Sequence, residues 1–352
     1  MSAALLREIR AELRSRGLER RPTGRVLAEL GVHAVLLGAG LAVFFAAEAG
    51  AFRAAGLALA MLGHLGVTTN SHTWAHRAGS TSRRFDDALA FLTGGLVSGI
   101  SFVFWHDKHN RRHHGSPNVA GVDPDHDFWP FLALTETERA RANVGLRAWH
   151  RVQWLAFPLL LAAMFARMRL EGVCFAFRRA RAAQPDSAAL ARFDLAVLAV
   201  SYAAWWGLPF VFGSLADALV LNVAREVFLS YALFAIFAPA HLPRDAVFLA
   251  RRVEGDFALQ QTATSLDYRV GRLAGFFLSG LQYQIEHHLV PGLAHPRYAE
   301  LEPIVQRACA RHGYPHRVLG WGEALRRALA VIRTPKPVME PGAIAVETGA
   351  SR

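Results

Sequence analysis

The sequence predicts an all-α integral membrane protein with about four transmembrane helices, paired as two hairpins that carry a cytosolic helical cap. Hydrophobic residues make up 53% of the 352 residues and charged residues only 19%. The mean hydropathy of +0.20 is high for a soluble globular chain. The apolar residues are concentrated in runs about as long as a bilayer is thick, and arginines are concentrated in the segments between the hairpins.

The N-terminal segment, residues 1–29, is expected to be an uncleaved, basic cytosolic tail. It holds seven arginines before residue 26 and is too long and too polar ahead of the apolar run to be a secretory signal. Leu5, Ile9 and Leu13 recur at helical spacing, so part of the segment is expected to lie on the membrane surface. In so apolar a chain, the net charge of +11 favours a membrane over a nucleic acid as the partner.

Four apolar runs are the predicted spans, and the first two are near the lower limit of the length that crosses a bilayer. They are residues 30–47 and 54–69 for the first hairpin, and 195–212 and 218–240 for the second. The fourth run contains Arg225 and Glu226, which are expected either to lie near the interface or to pair inside the bundle.

The remaining segments complete the expected organisation. Residues 88–105 and 152–168 are weaker apolar stretches and are expected to be interfacial or half-buried. The two short hairpin connections carry one arginine between them, so the arginine-rich segments on the other side face the cytoplasm. In a bacterium this would be the inner membrane. Residues 30–333 are expected to form one membrane domain, and residues 334–352 a disordered tail.

Three histidine clusters lie where the chain leaves the membrane. His72 and His76 are four residues apart, which places both imidazoles on one face of a helix. His109 and His113 share a face in the same way, and His114 lies about 100° round, where it suits a neighbouring metal. The third cluster has its own spacing: Gln284 stands three residues before the pair His287 and His288.

Convergence of the three clusters on one predicted face indicates a metal site, although a single histidine pair would not. Imidazole suits iron, zinc, copper and nickel, and the two cysteines cannot supply a cysteine-based site. The histidines outnumber the ligands that one ion needs, so two metals are predicted. Beside apolar helices that could hold a lipid tail, a two-metal site suggests oxidation of an unactivated C–H bond. That chemistry needs O2 and a redox metal, which favours iron over zinc.

With these residues in hand, the chain resembles the membrane-bound fatty acid desaturases, in the branch whose third histidine box begins with Gln. The likeness extends from about residue 55 to residue 320. The matching motifs are His72-x-x-x-His76, Trp105-x-x-x-His109-Asn110-x-x-His113-His114, Pro117-Asn118, Asp123-Pro124-Asp125 and Tyr283-Gln284-Ile285-Glu286-His287-His288-Leu289-Val290-Pro291. The segment from Phe237 to His241 and the Gln261-x-x-x-Ser265 motif are similar to further family elements.

The resemblance implies four spanning helices with two irons held beneath the cap. It implies the iron ligands His72, His76, His109, His113, His114, His241, His287 and His288. His241 enters this set only through the resemblance. Gln284 occupies a position that is His in other branches, and would ligate weakly or through water.

The implied reaction is an O2-dependent desaturation that introduces a cis double bond into a lipid-linked or CoA-linked acyl chain. The sequence contains no His-Pro-Gly-Gly haem motif. Electrons are therefore expected from an external donor, a separate ferredoxin, rubredoxin or cytochrome. An acidic carrier would suit the exposed arginines by electrostatic steering. These arginines are Arg83, Arg84, Arg111 and Arg112.

Departures from the family pattern keep other outcomes open. Thr73 stands where relatives often have Asp, so an acidic partner for an imidazole must come from elsewhere or be missing. Ala240 and Gln282 stand where Asn is common, and the second box has three residues between its first two histidines where close relatives often have two. A hydroxylase is the alternative within the enzyme class. A metal-binding membrane transporter, which would need ionisable residues along a path through the spans, and an inactive lipid-binding subunit are the others.

The remaining candidates are weighed individually. His64 is expected to be buried and hydrogen-bonded, and His106 is equally compatible with supporting a ligand or with no role. His126 lies among acids that are expected to brace the arginine-rich second box. Trp74 and Trp105 are candidates for the wall of an acyl tunnel or for an interfacial belt. The histidines expected to be unrelated to the metal are His33, His150, His295, His312 and His316.

Overall fold

The computed structural model describes residues 2–347, with side chains as far as residue 344, and is mostly helical. The helices are α1 (Ser2–Ser15), α2 (Thr23–Ala46), α3 (Gly50–Ala75), α4 (Arg83–Ala90), α5 (Phe102–Trp105), α6 (Glu136–Arg141), α7 (Val144–Ala162), α8 (Met164–Ala180), α9 (Pro185–Phe212), α10 (Leu215–His241), α11 (Phe257–Thr264), α12 (Arg272–Leu278), α13 (Gln284–Leu289), α14 (Tyr298–His312), α15 (Trp321–Arg333) and α16 (Pro341–Glu347). The strands are β1 (Phe248–Leu249), β2 (Asp267–Arg269), β3 (Val318–Gly320) and β4 (Val338–Met339). They form two parallel pairs, β1 with β4 and β2 with β3.

Helices α2, α3, α9 and α10 are the four described helices that are long and apolar enough to cross a membrane, which confirms the four predicted spans. Each hairpin turns within a few residues, and Arg53 on α3 pairs with Asp217 on α10 next to the two turns. His72 and His241 lie at the opposite ends of those same helices. The histidine boxes are therefore on the membrane face opposite the hairpin turns.

The first hairpin depends on glycines at the contact between α2 and α3. A Cβ atom built on Gly63 would lie 2.2 Å from the backbone nitrogen of Leu37, and one on Gly40 would lie 2.2 Å from the backbone nitrogen of Ala60. Since no real Cβ approaches a backbone atom so closely, only glycine lets the two helix axes come this near. The close packing fixes α3, which carries the first histidine box.

Substituting Gly63→Val is expected to destabilise the fold by about 3 kcal/mol, because the new side chain forces the hairpin helices apart. Thermal unfolding in detergent micelles would measure the loss. Gly38→Val is the matched control, since Gly38 is an exposed glycine of the same helix pair with nothing within 4 Å of its Cβ position. Equal melting temperatures for the two variants would contradict the close approach.

The weaker apolar stretches do not form additional straight spans. Helix α4 continues as a π-helix over Phe91–Val97, and α5 continues as a π-helix over His106–His113. These two arms meet at 112°, as in a broken span or a re-entrant loop. The second stretch becomes α7 and α8, and α7 leaves Leu155 and Leu159 exposed as an interfacial helix would.

The charges in the fourth span are held inside the bundle, one of the two alternatives that the sequence allowed. Arg225 is fully buried over the ring of Trp205, 4.1 Å from its centroid, and donates to the carbonyl of Ser98 at 3.2 Å. Glu226 pairs with Arg169 on α8. His64 stacks on the same Trp205 ring, with centroids 5.0 Å apart. The expectation that His64 is buried is confirmed, but its expected hydrogen bond is wrong, since neither ring nitrogen has a partner among the described residues.

Two expectations about the termini are corrected. The apolar face of α1 does not lie on the membrane surface: Leu5, Ile9 and Leu13 are buried in a cluster with α13 and α14. An amphipathic pattern reports only that a face is covered, and here protein covers it. Residues 334–347 are also not a disordered tail, because β4 and α16 lie within them and Lys336 is buried. The Lys336 amine donates to the carbonyls of His241, Leu242 and Pro243 at 3.0 to 3.3 Å, and to that of Ala246. Residues 348–352 lie outside the described residues.

Candidate metal centre

The structure brings all nine predicted ligands into one buried cluster. Nitrogens of seven histidines fall into two groups, within each of which the atoms lie within 4.8 Å of one another. The first group is His72, His76, His109 and His287, and the second is His113, His241 and His288. The ring of His114 lies 4.6 Å from those of His287 and His288, between the groups. The side-chain oxygen of Gln284 is 3.2 Å from Nε2 of His241.

Local helix geometry explains how each box reaches the cluster. His72 lies in the last turn of α3, where His76 directly follows it, and His241 is the last residue of α10. The second box lies on a π-helix, in which the amide of His114 donates to the carbonyl of His109 at 3.0 Å, five residues back. This wide turn spreads three histidines over both groups. His109 and His113 share a side as predicted, since both lie within reach of Asp125, but they fall in different histidine groups. His114, which was expected to suit a neighbouring metal, lies between the two groups instead.

The nitrogens that face the cluster fit a metal. Nε2 of His76, His287 and His288, and Nδ1 of His114, are buried and have no hydrogen-bond partner among the described residues. Nε2 of His72 and Nε2 of His109 face each other at 2.9 Å. Burial and the neighbouring histidines hold the pKa of His287 and His288 well below its ordinary value, so both imidazoles are neutral. Burying an imidazole nitrogen without a partner costs free energy, and binding of a metal ion removes that cost. Neutral imidazoles of this kind are therefore suited to be metal ligands.

The outward nitrogens of several histidines are hydrogen-bonded, which fixes the ring orientation. His113 Nδ1 donates to Asp123 at 2.9 Å, and His288 Nδ1 donates to the side-chain oxygen of Gln261 at 2.8 Å. The hydroxyl of Tyr298 lies 2.9 Å from Nδ1 of His287. Such partners select the tautomer and direct the other nitrogen to the metal. The family resemblance pointed to Gln261, whereas Tyr298 carried no signal in the sequence.

Asp123 and Asp125 brace the second box, but through His113 and Lys108 rather than through its arginines. Asp125 pairs with Lys108, and Asp123 also accepts the amide of Asn118 at 2.8 Å. Although burial alone would raise the pKa of Asp123, the adjacent His113 and His126 hold it below its ordinary value. His126 lies 3.6 Å from Asp123 and belongs to neither histidine group. His106 also lies outside both groups, with Nδ1 3.0 Å from the amide of Asn110.

Substituting Asp123→Asn is expected to lower metal affinity by about 10- to 100-fold, because His113 loses the carboxylate that orients it. Metal bound per chain, titrated on the purified protein, would measure the effect. Asp127→Asn is the control, because Asp127 is an exposed acid of the same loop. Unchanged affinity in the Asp123→Asn variant would contradict the orienting role.

Thr73, which stands where relatives often have Asp, contacts an acid only indirectly. Its hydroxyl lies 2.6 Å from Nδ1 of His295, and Nε2 of His295 lies 2.7 Å from a carboxylate oxygen of Glu29. His295, which was expected to be unrelated to the metal, thus joins the first box to α2. Glu29 reaches Thr73 only through His295 and lies 44 residues before Thr73 in the sequence. No local pattern therefore predicts this acid.

An apolar cavity extends from the histidine cluster between the helices. The end next to the cluster is lined by His72, His109, His113, His241 and Trp105. The rest of its wall includes Thr69, Gly94, Ile100, Phe165, Leu233 and Phe237. Trp105 therefore lies in the wall, as one of the two alternatives held. Trp74 does not: it is buried, and its indole donates to Asn70 at 2.8 Å.

Comparison with known proteins identifies relatives. The family model described as Fatty acid desaturase matches residues 49–320. The Delta(8)-fatty-acid desaturase of Euglena gracilis is 25% identical over 70% of this chain and 59% of its own length. The Delta(8)-fatty-acid desaturase 2 of Arabidopsis thaliana is 26% identical over 72% of this chain and 57% of its own. Fatty acid desaturase 3 of Bos taurus is 28% identical over 73% of this chain and 53% of its own. The chain thus spans somewhat more than half the length of these relatives.

Proposed function

Because this chain belongs to the fatty acid desaturase family, we propose that it is an O2-dependent acyl desaturase. The proposed reaction introduces a cis double bond into a lipid-linked or CoA-linked acyl chain. It consumes one O2, two electrons and two protons, and releases two waters for each pair of hydrogens removed from the chain.

The observation that carries this proposal is the apolar cavity that ends at the histidine cluster. An acyl chain needs an apolar wall along its length, which Ile100, Phe165 and Leu233 supply. It also needs oxidising chemistry at one place on that wall, and the paired histidine groups lie there. A cavity of this kind would decide which carbon reaches the metal, because small misplacements cost large factors in rate.

The two histidine groups suit two iron ions. One iron would be held by the first group, which consists of His72, His76, His109 and His287. The other iron would be held by the second group, which consists of His113, His241 and His288. His114 lies where it could serve either, and Gln284 lies beside His241. With O2 and two electrons, the irons would supply the removal of two hydrogens from neighbouring carbons.

The surrounding residues orient the ligands and keep bulk water away. Asp123, Gln261 and Tyr298 hold three of the imidazoles from behind. Trp105 stacks on His109 with ring centroids 4.5 Å apart, and so places an apolar wall directly against the metal-facing end of the cavity. His287 and His288 are at most 1% exposed. A dry, apolar site of this kind favours reaction with the acyl chain over side reactions with water.

We place the cluster on the cytoplasmic face, where an external electron donor can reach it. The histidine boxes share their side of the membrane with the arginine-rich segments, and positive residues mark the cytoplasmic side. Arg83, Arg84 and Arg112 are exposed and have no carboxylate partner among the side chains described, which extend to residue 344. An acidic ferredoxin, rubredoxin or cytochrome would be drawn to this surface.

The test is the fatty-acid profile of a desaturase-poor host that expresses the protein with candidate electron donors, read by gas chromatography–mass spectrometry. A new cis-unsaturated acid in cells with the wild type, absent from cells with an empty vector, is the expected result. A hydroxy acid would instead identify a hydroxylase. An unchanged profile from a protein that binds two irons and receives electrons would overturn the proposal.

A further inference from the structure

A second group of metal-binding side chains lies outside the histidine cluster. It consists of Asp267 at the start of β2, Glu286 in α13 and His316 just before β3. One ligand atom from each lies within 4.8 Å of the others. Nε2 of His316 is 2.9 Å from a carboxylate oxygen of Glu286 and 3.6 Å from one of Asp267. Glu286 directly precedes His287, but adjacent helical residues point about 100° apart, so Glu286 faces this group rather than the histidines.

The group is buried and only partly satisfied by protein. Asp267 and Glu286 have no exposed surface, and the side chain of His316 is 4% exposed. One oxygen of Asp267 accepts the amide of Ile285 at 2.9 Å, which fixes the carboxylate. The other oxygen of Asp267, and one oxygen of Glu286, are buried without a hydrogen-bond partner among the described residues. These two unpaired oxygens point to a missing positive group.

No lysine or arginine among the described residues fills that place. Within residues 2–347, neither carboxylate forms an ion pair with a lysine or an arginine. Arg269 on β2 is instead occupied by Glu302, to which it donates at 2.8 Å. Two carboxyl groups packed this closely need either a shared proton or a cation between them.

We propose that Asp267, Glu286 and His316 bind a third metal ion, a divalent cation of the zinc type, separate from the ions of the histidine cluster. Two carboxylates and one imidazole are ligands that zinc takes in proteins. A divalent ion and two carboxylates are electrically neutral together, which removes the cost of burying either charge alone. The assignment goes beyond the proposed reaction and does not depend on it.

The ion would fasten the third histidine box to the C-terminal part of the chain. Strands β2 and β3 pair in parallel, with Asp267 opposite Val318, the first residue of β3. His316 lies two residues before Val318, and the pairing therefore brings it close to Asp267. Glu286 adds α13, which carries His287 and His288. One ion would thus join three segments that are distant in sequence.

The test counts metals in the purified full chain and in two variants, Asp267→Asn and His316→Gln. Each protein is equilibrated with zinc and passed through a desalting column, and iron and zinc per chain are measured by inductively coupled plasma mass spectrometry. The matched control is His312→Gln, since His312 is a partly exposed histidine that pairs with Glu8 at 2.9 Å and lies outside the proposed site. A melting curve establishes whether each variant is folded. If the Asp267→Asn variant is not folded, the metal count of the His316→Gln variant decides the test.

The expected result is one more metal ion per chain in the wild type and in His312→Gln than in the two site variants. Metal in the histidine cluster, read in the same samples, is expected to be unchanged by the site variants. Equal metal counts in all four proteins would overturn the assignment and leave Asp267 and Glu286 sharing a proton. Failure of the histidine cluster to bind iron would contradict the proposed function but not this site.

Discussion

Substituting His287→Ala is expected to reduce product formation by more than about 100-fold, since even residues that only orient a ligand cost 10- to 100-fold. His287 belongs to the first histidine group, and its ring lies 4.5 Å from that of His72 and 4.8 Å from that of His76. Its Nε2 is buried and has no hydrogen-bond partner among the described residues, so this nitrogen is free to bind a metal. The alanine variant loses that ligand. The measurements are iron per chain and product per cell at equal protein level.

The control for this substitution is His150→Ala. His150 is also fully buried, but it lies on α7 against the carbonyl of Pro130 at 2.9 Å and belongs to neither histidine group. Its replacement removes a buried imidazole without touching the cluster. Iron and product should therefore fall in the His287 variant and persist in the His150 variant. Equal iron in both would contradict the role of His287.

Substituting Gly94→Leu is expected to lower the rate of conversion by about 100-fold while leaving metal content unchanged, because it displaces the acyl chain relative to the metal. Gly94 lines the cavity on the π-helix after α4, and the nearest side-chain atom to its Cβ position is Ser71 Oγ at 3.7 Å. A larger side chain can therefore enter the cavity without disturbing the backbone. The rate should be measured with acyl chains of several lengths, of which the longest should suffer most.

The matched control is Gly31→Leu on α2. Gly31 is exposed and has nothing within 4 Å of its Cβ position, so the same leucine there points away from the described protein. Full activity is expected for this control. If Gly94→Leu converts all chain lengths at the wild-type rate, the cavity does not hold the substrate.

The spans and the histidine boxes could be predicted because both are local patterns. An apolar run of bilayer length becomes a helix whatever surrounds it, and α2, α3, α9 and α10 each contain a predicted run. His72 and His76 lie where helical spacing puts them. The fold class and the meeting of the boxes on one face followed from these patterns together with the positions of the arginines.

What supports the boxes could not be predicted, since it depends on contacts between distant segments. Tyr298 reaches His287 from another helix, and Glu29 reaches Thr73 only through His295. The periodicity of α1 gives the same signal whether a membrane or a protein helix covers its apolar face, and the structure selects α14. Lys336 lies in a segment rich in small residues and proline, a composition that is typical of disorder. The segment is ordered because Lys336 donates to backbone carbonyls that follow α10, and composition does not reveal such contacts.

Iron K-edge X-ray absorption, together with the iron content of the purified wild-type protein, tests the central claim that the histidine cluster is a di-iron site. The cluster offers two groups of imidazoles, so we expect two irons per chain, each bound mainly by imidazole nitrogen. A protein that holds no iron after anaerobic loading, or a single iron with mainly oxygen ligands, would contradict it.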